Sequence, residues 1–82
     1  MLVAMSRQPA KIDLQANLAR NVRAVRTAVG MTQEELAESS GLHQTYVSDV
    51  ERGKRNVTLD VVARLAEALR VSPLDLLGAG GE

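Results

Sequence analysis

The chain contains no cysteine, so neither a disulfide framework nor a thiolate metal site can staple it, and it suits a reducing cytoplasm. It has a single histidine, His43, and shows no glycine-rich phosphate loop, metal-ligand spacing or paired nucleophile and base. An enzyme is therefore not expected, and no cofactor or metal is called for. No apolar run approaches the roughly 18 residues of a membrane span. The opening stretch from Met1 to Met5 is also too short for a signal-peptide core, which points to a soluble protein with no membrane partner. Net charge is missing as well: ten Lys and Arg offset ten Asp and Glu. Tyr46 is the sole aromatic residue.

What is present is 82 residues with 45% hydrophobic content, enough for one small domain. A chain of this size buries only about 60% of its unfolded surface and is marginal alone. With disulfides and metals excluded, oligomerisation is the expected source of further stability.

Residues 1–12 lack a sustained period and contain Pro9, so they read as a flexible arm in which Arg7 and Lys11 are solvated; Met5 is an alternative start. Asp13 then caps a helix whose apolar positions Leu14, Leu18, Val22, Val25 and Val29 form a stripe toward the core, and Gly30 closes it. Arg20 and Arg23 are expected in solvent. Thr32 and Glu35 have the spacing of a capping box, which opens a second helix carrying Leu36 and Ala37 inward, and Gly41 ends it. A third helical pattern runs over about 43–52 with Val47 and Val50 on one face, and Gly53 stops it. After the polar Lys54-Arg55-Asn56 loop, Thr58 caps a helix with an apolar stripe of Leu59, Val62, Leu65, Ala66 and Leu69, ending near Arg70. Ser72, Pro73 and Asp75 open one short turn of helix bearing Leu74, Leu76 and Leu77. Residues 13–77 thus form the domain and 78–82 a tail.

Two short helices joined at Gly41 make either a helix-turn-helix or an ordinary helical hairpin, and spacing alone leaves both open. Side-chain chemistry favours DNA. Gln44, Thr45 and Ser48 are uncharged hydrogen-bonding groups at a helix start, whereas a merely solvated face is more often built from Glu and Lys. Charge is also segregated, with Glu34, Glu35 and Glu38 on one helix and Arg52, Lys54 and Arg55 beyond the next.

In combination, Thr32-Gln33-x-x-Leu36-Ala37, Gly41, Val47-Ser48-x-x-Glu51-x-Gly53-Lys54 and Leu65-Ala66-x-x-Leu69 resemble the phage-repressor and Cro-like (XRE-type) helix-turn-helix regulators. The resemblance covers roughly Leu18 to Leu77. Within that family, Arg52-Gly53-Lys54-Arg55-Asn56 following Tyr46-Val47-Ser48 is similar to the controller proteins of restriction-modification genes. The resemblance implies an all-α, five-helix, lambda-repressor-like domain that binds double-stranded DNA. It implies base reading from Gln44, phosphate positioning by Gln33 and Ser48, and a structural pair between Arg26 and Glu51.

Chemistry adds the remaining candidates. Gln44 can pair with adenine in a bidentate manner, Thr45 can offer a hydroxyl or methyl group, and Asp49 can accept from cytosine N4. Arg52, Lys54, Arg55 and Asn56 are placed to meet the phosphate backbone. Tyr46 either packs between helices or bonds a phosphate, and His43, a weak cap, either meets DNA or stays a partly exposed imidazole. A homodimer through Val71, Leu74, Leu76 and Leu77 would read a near-palindromic site. The alternatives are an antitoxin that binds both its operator and a toxin protein, and a helical module that binds only protein.

Overall fold

Short polar side chains start four of the five helices. In the computed structural model, which describes residues 12–79, the helices are α1 (Leu14–Ala28), α2 (Gln33–Ser40), α3 (Gln44–Glu51), α4 (Leu59–Leu69) and α5 (Pro73–Leu77). Apart from Ile12, the expected arm lies outside the described residues, as does the tail beyond Ala79. No described helix is long and apolar enough to cross a membrane. Asp13 accepts from the Ala16 amide, Thr58 from that of Val61, and Thr32 with Glu35 and Ser72 with Asp75 close full capping boxes. Caps of this kind contribute about 0.5–2 kcal/mol each. At α3 the cap position holds His43, whose side chain makes no capping bond, so the amides that begin this helix stay open.

The helix ends share one device. After each of α1 to α4 a residue with positive φ lets two successive amides fold back onto the last turn, as in Leu42 N–H to Ala37 O and Lys54 N–H to Asp49 O, both at 2.9 Å. Glycine does this at 30, 41 and 53, but Arg70 does it for α4 at φ 61°, the one non-glycine residue so placed among those described. A side chain in that region costs about 1–2 kcal/mol, and the bonds from Arg70 N–H to Glu67 O and from Val71 N–H to Ala66 O help to offset it.

Leu18, Val22, Leu36, Val47, Val50, Val62, Leu65, Leu69 and Leu76 form one core. The predicted stripes overshoot it. Leu14 and Val29, at the two ends of the 15-residue α1, are 53% and 55% exposed. Leu59 is 82% exposed in the first turn of α4.

The expected dimer set needs one correction. Leu76 has no exposed surface: it closes the core where α5 meets α1 and α4, so it is unavailable to a second chain. Successive helical residues turn by about 100°, so seating Leu76 inward sends Leu74 to the opposite side. Leu74 is 78% exposed, while Val71 and Leu77 are half-buried.

Three polar residues of α1 hold this terminal helix in place. Asn21, buried, donates from Nδ2 to the carbonyls of Leu76 and Gly78, each at 2.9 Å; Asn17 donates to Leu77 at 3.1 Å. Arg20 donates to Ala79 at 2.7 Å, so this side chain is exposed yet engaged and not simply solvated. The carbonyls of Leu76 and Leu77, which the helix end leaves without an intrahelical partner, are thereby satisfied. Leu76→Ala is expected to cost about 2–5 kcal/mol through the cavity it leaves. Leu74→Ala should cost within about 0.5 kcal/mol. Urea unfolding of both variants measures the difference, and similar losses at the two positions would refute this packing.

Candidate nucleic-acid interface

The eight residues of α3 divide sharply between two environments. Val47, Val50 and Glu51 are buried, while Gln44 and Thr45 are exposed at its N-terminal end beside the equally exposed His43. Ser48 and Asp49 are half-buried, and Arg52, Lys54, Arg55 and Asn56 are exposed at and beyond the C-terminal end. One surface therefore carries neutral hydrogen-bonding side chains at one end and cations at the other.

Its position is set by the buried Glu51. Arg26 of α1 reaches both carboxylate oxygens, Nε to Oε2 at 2.6 Å and Nη2 to Oε1 at 3.0 Å, in a bidentate pair. The same guanidinium donates through Nη1 to the Met31 carbonyl at 2.9 Å, between α1 and α2. Gln33, the first residue of α2, adds Nε2 to Oε1 at 3.0 Å. One carboxylate thus joins α1, α2 and α3. Burial pushes the Glu51 carboxyl up, but hydrogen bonds from Arg26 and Gln33, backed by the charges of Arg26 and Arg23, outweigh it and hold the group below its ordinary value. The hydrogen bond to Glu51 raises Arg26 against the opposing effect of its own burial.

Gln33, the candidate phosphate positioner, accordingly spends one amide hydrogen on this clamp. The Arg26–Glu51 pair was expected from the resemblance; the third member was not, although Gln33 directly follows the Thr32 cap. A second tie was also missed. Gln15 donates from Nε2 to the Gly53 carbonyl at 2.6 Å, fastening the turn that leaves α3 to the first turn of α1.

Asp49 organises the cationic end. Its carboxylate meets Arg52 at 2.7 Å and Arg55 at 3.4 Å, while its carbonyl accepts from Lys54 N–H. Arg55 also lies over the Tyr46 ring, 5.0 Å from the centroid, and the half-buried ring packs against the core. Tyr46 thus packs against the core and its ring also supports a cation.

A two-helix unit with a locked inner face and an exposed, neutral-polar helix start is the architecture of a helix-turn-helix DNA-binding protein. The family model described as Helix-turn-helix matches residues 22–76. The chain belongs to this family, the phage-repressor and Cro-like (XRE-type) helix-turn-helix transcriptional regulators. It is 49% identical over 70 residues to Control protein C.SmaI of Serratia marcescens, spanning 85% of this chain and 83% of that one. It is also 49% identical over 59 residues to Control protein C.BamHI of Bacillus amyloliquefaciens, spanning 71% and 73% respectively. Among solved structures, the restriction-modification controller protein C.AhdI from Aeromonas hydrophila matches with a TM-score of 0.73 and 45% identity, covering 76% of this chain and 94% of that one.

Arg26→Ala should destabilise the fold by about 3–5 kcal/mol, since a buried carboxylate loses its charge partner. The sign with pH follows from the lowered Glu51 value. The stabilisation it provides is complete above the ordinary carboxylate value of 4.5 and is lost as pH falls through the folded value beneath it. Denaturant unfolding at neutral and acid pH, with and without Glu51→Gln, measures both effects. An Arg26→Ala loss well under 1 kcal/mol would mean the clamp contributes little.

Proposed function

We propose that the chain is a homodimeric transcriptional regulator, its DNA-binding unit spanning 13–77, that seats α3 in the major groove of a near-palindromic operator. It acts in the cytoplasm by binding alone, with no catalytic step or cofactor. The observation that carries this reading is the exposure of Gln44 and Thr45 at the start of a helix whose opposite face is clamped through Glu51. In it, Gln44 donates to adenine N7 and accepts from N6, Thr45 contacts a neighbouring base, and His43 and Ser48 flank them. Arg52, Lys54, Arg55 and Asn56 meet phosphates at the far end, and Gln33 offers its remaining amide hydrogen at the near end.

The likeness to the restriction-modification controller protein C.AhdI supports restriction-modification genes as the regulated set. The antitoxin and protein-only alternatives gain no supporting observation, and the reading keeps to DNA.

Second-chain contact is supported by exposed apolar side chains. Leu59 and Leu74 are 82% and 78% exposed, and Leu14, Leu59 and the half-buried Leu77 border one crevice together with Arg55. The proposed interface therefore keeps Val71, Leu74 and Leu77 and leaves out Leu76. Pairing on this side would set two α3 helices into successive major grooves about 34 Å apart.

Gln44→Ala is expected to relax base preference at one operator position by about 1–3 kcal/mol, while Arg55→Ala weakens binding to all sequences alike. Fluorescence anisotropy against single-base variants of the upstream duplex makes the comparison. An unchanged preference profile for Gln44→Ala would remove it from base reading.

Leu74→Asp should give a folded monomer with much weaker operator binding. Sedimentation and circular dichroism check this. A wild-type chain that stays monomeric and binds a half-site as tightly as the full site would eliminate the dimer.

A further inference from the structure

Asp49 is out of place on a phosphate-facing surface: its carboxylate repels the ligand, and its side chain is only 18% exposed. Stability does not account for it. Its partners Arg52 and Arg55 are 58% and 48% exposed, and ion pairs of such exposure contribute little. The geometry points elsewhere. Both guanidiniums are gathered onto one carboxylate, and Arg55 is further held over Tyr46. The Lys54 N–H to Asp49 carbonyl bond at 2.9 Å closes the end of α3 around the same residue, so the backbone carrying Asp49 is tied to that of the following loop.

We infer that Asp49 is a specificity-determining positioning residue, which sets the discrimination between cognate and non-cognate duplex by holding Arg52 and Arg55 and cancelling one of their charges. The inference rests on the DNA-binding reading above and replaces the cytosine contact considered for this residue.

Two consequences of the arrangement act in the same direction. Non-specific association is driven by counterion release, which grows with the number of cations free to meet phosphates. With Asp49 behind them, the two arginines count as about one positive charge toward an arbitrary duplex. On the cognate site, the base contacts of α3 dock the protein in register, and the pre-positioned guanidiniums meet phosphates without paying again for side-chain ordering. Asp49 therefore weakens the wrong complex more than the right one. A chain whose Lys and Arg only balance its Asp and Glu has little electrostatic excess to spend on arbitrary DNA.

The test is Asp49→Asn, close to isosteric and keeping the backbone anchor, compared with wild type and Asp49→Glu on an operator duplex and a scrambled duplex across a salt series. For Asp49→Asn the expected results are severalfold tighter binding to the scrambled duplex at low salt, a log–log salt slope steeper by about one, and a severalfold lower operator-to-scrambled ratio. Asp49→Glu, which restores the charge, should return the slope to the wild-type value. Thermal unfolding of each variant accompanies the series, because a purely structural role would weaken binding to both duplexes and leave the slope alone. Unchanged slope and ratio in Asp49→Asn, while wild type discriminates between the duplexes, would overturn the role of Asp49 and leave the DNA-binding reading standing. A wild-type chain that fails to discriminate would overturn both.

Discussion

The arrangement of this domain depends on one buried carboxylate. Glu51 lies at the last turn of α3, and removing it from water is tolerable only because Arg26 and Gln33 satisfy both of its oxygens from two other helices. A hydrophobic contact in the same place would hold the helices together while permitting rotation and sliding. A bidentate ion pair permits neither, since its angles and distances are narrow. The clamp thereby converts α3 from a short helix, too short to be stable alone, into a rigid mount for whatever its outer surface carries.

That outer surface divides its work along its length. The start of α3, with no side-chain cap and with Gln44 and Thr45 exposed, offers groups able to distinguish one base from another. The exit of α3 offers charge, restrained by Asp49 and Tyr46, which suits contact with the uniform phosphate backbone. Because neutral hydrogen-bonding groups and cations sit at opposite ends of one clamped helix, neither set can shift without the other.

The α5 segment obeys a different constraint. Five residues of α5 cannot hold themselves in a helix, and they are kept by a core leucine and by Asn17, Asn21 and Arg20 of α1, which bond the carbonyls at their C-terminal end. Once those bonds fix the rotation of α5, Leu74 has nowhere to go but outward. Leu74, like Leu14 and Leu59, is an exposed apolar side chain that packing within the described residues leaves uncovered.

The sequence by itself determined what depends on neighbouring residues. Capping needs a hydroxyl or carboxylate three residues from an amide, and helix ends need a residue tolerant of positive φ. Thr32 with Glu35, Gly41 and Gly53 therefore announced two short helices and the turns that end them, and the polar start of α3 announced its outward face. Tertiary structure alone decided what depends on rotation and distance between helices. Leu76 and Leu74 are two residues apart in one short leucine-rich turn, and only the packing of α1 and α4 against α5 assigns one to the core and the other to solvent. The third arm of the clamp, from Gln33, and the gathering of two arginines on Asp49 were likewise illegible. A glutamine at a helix start or an aspartate among basic residues has many possible partners, and a hydrogen bond selects one only when separate helices bring its atoms to about 3 Å.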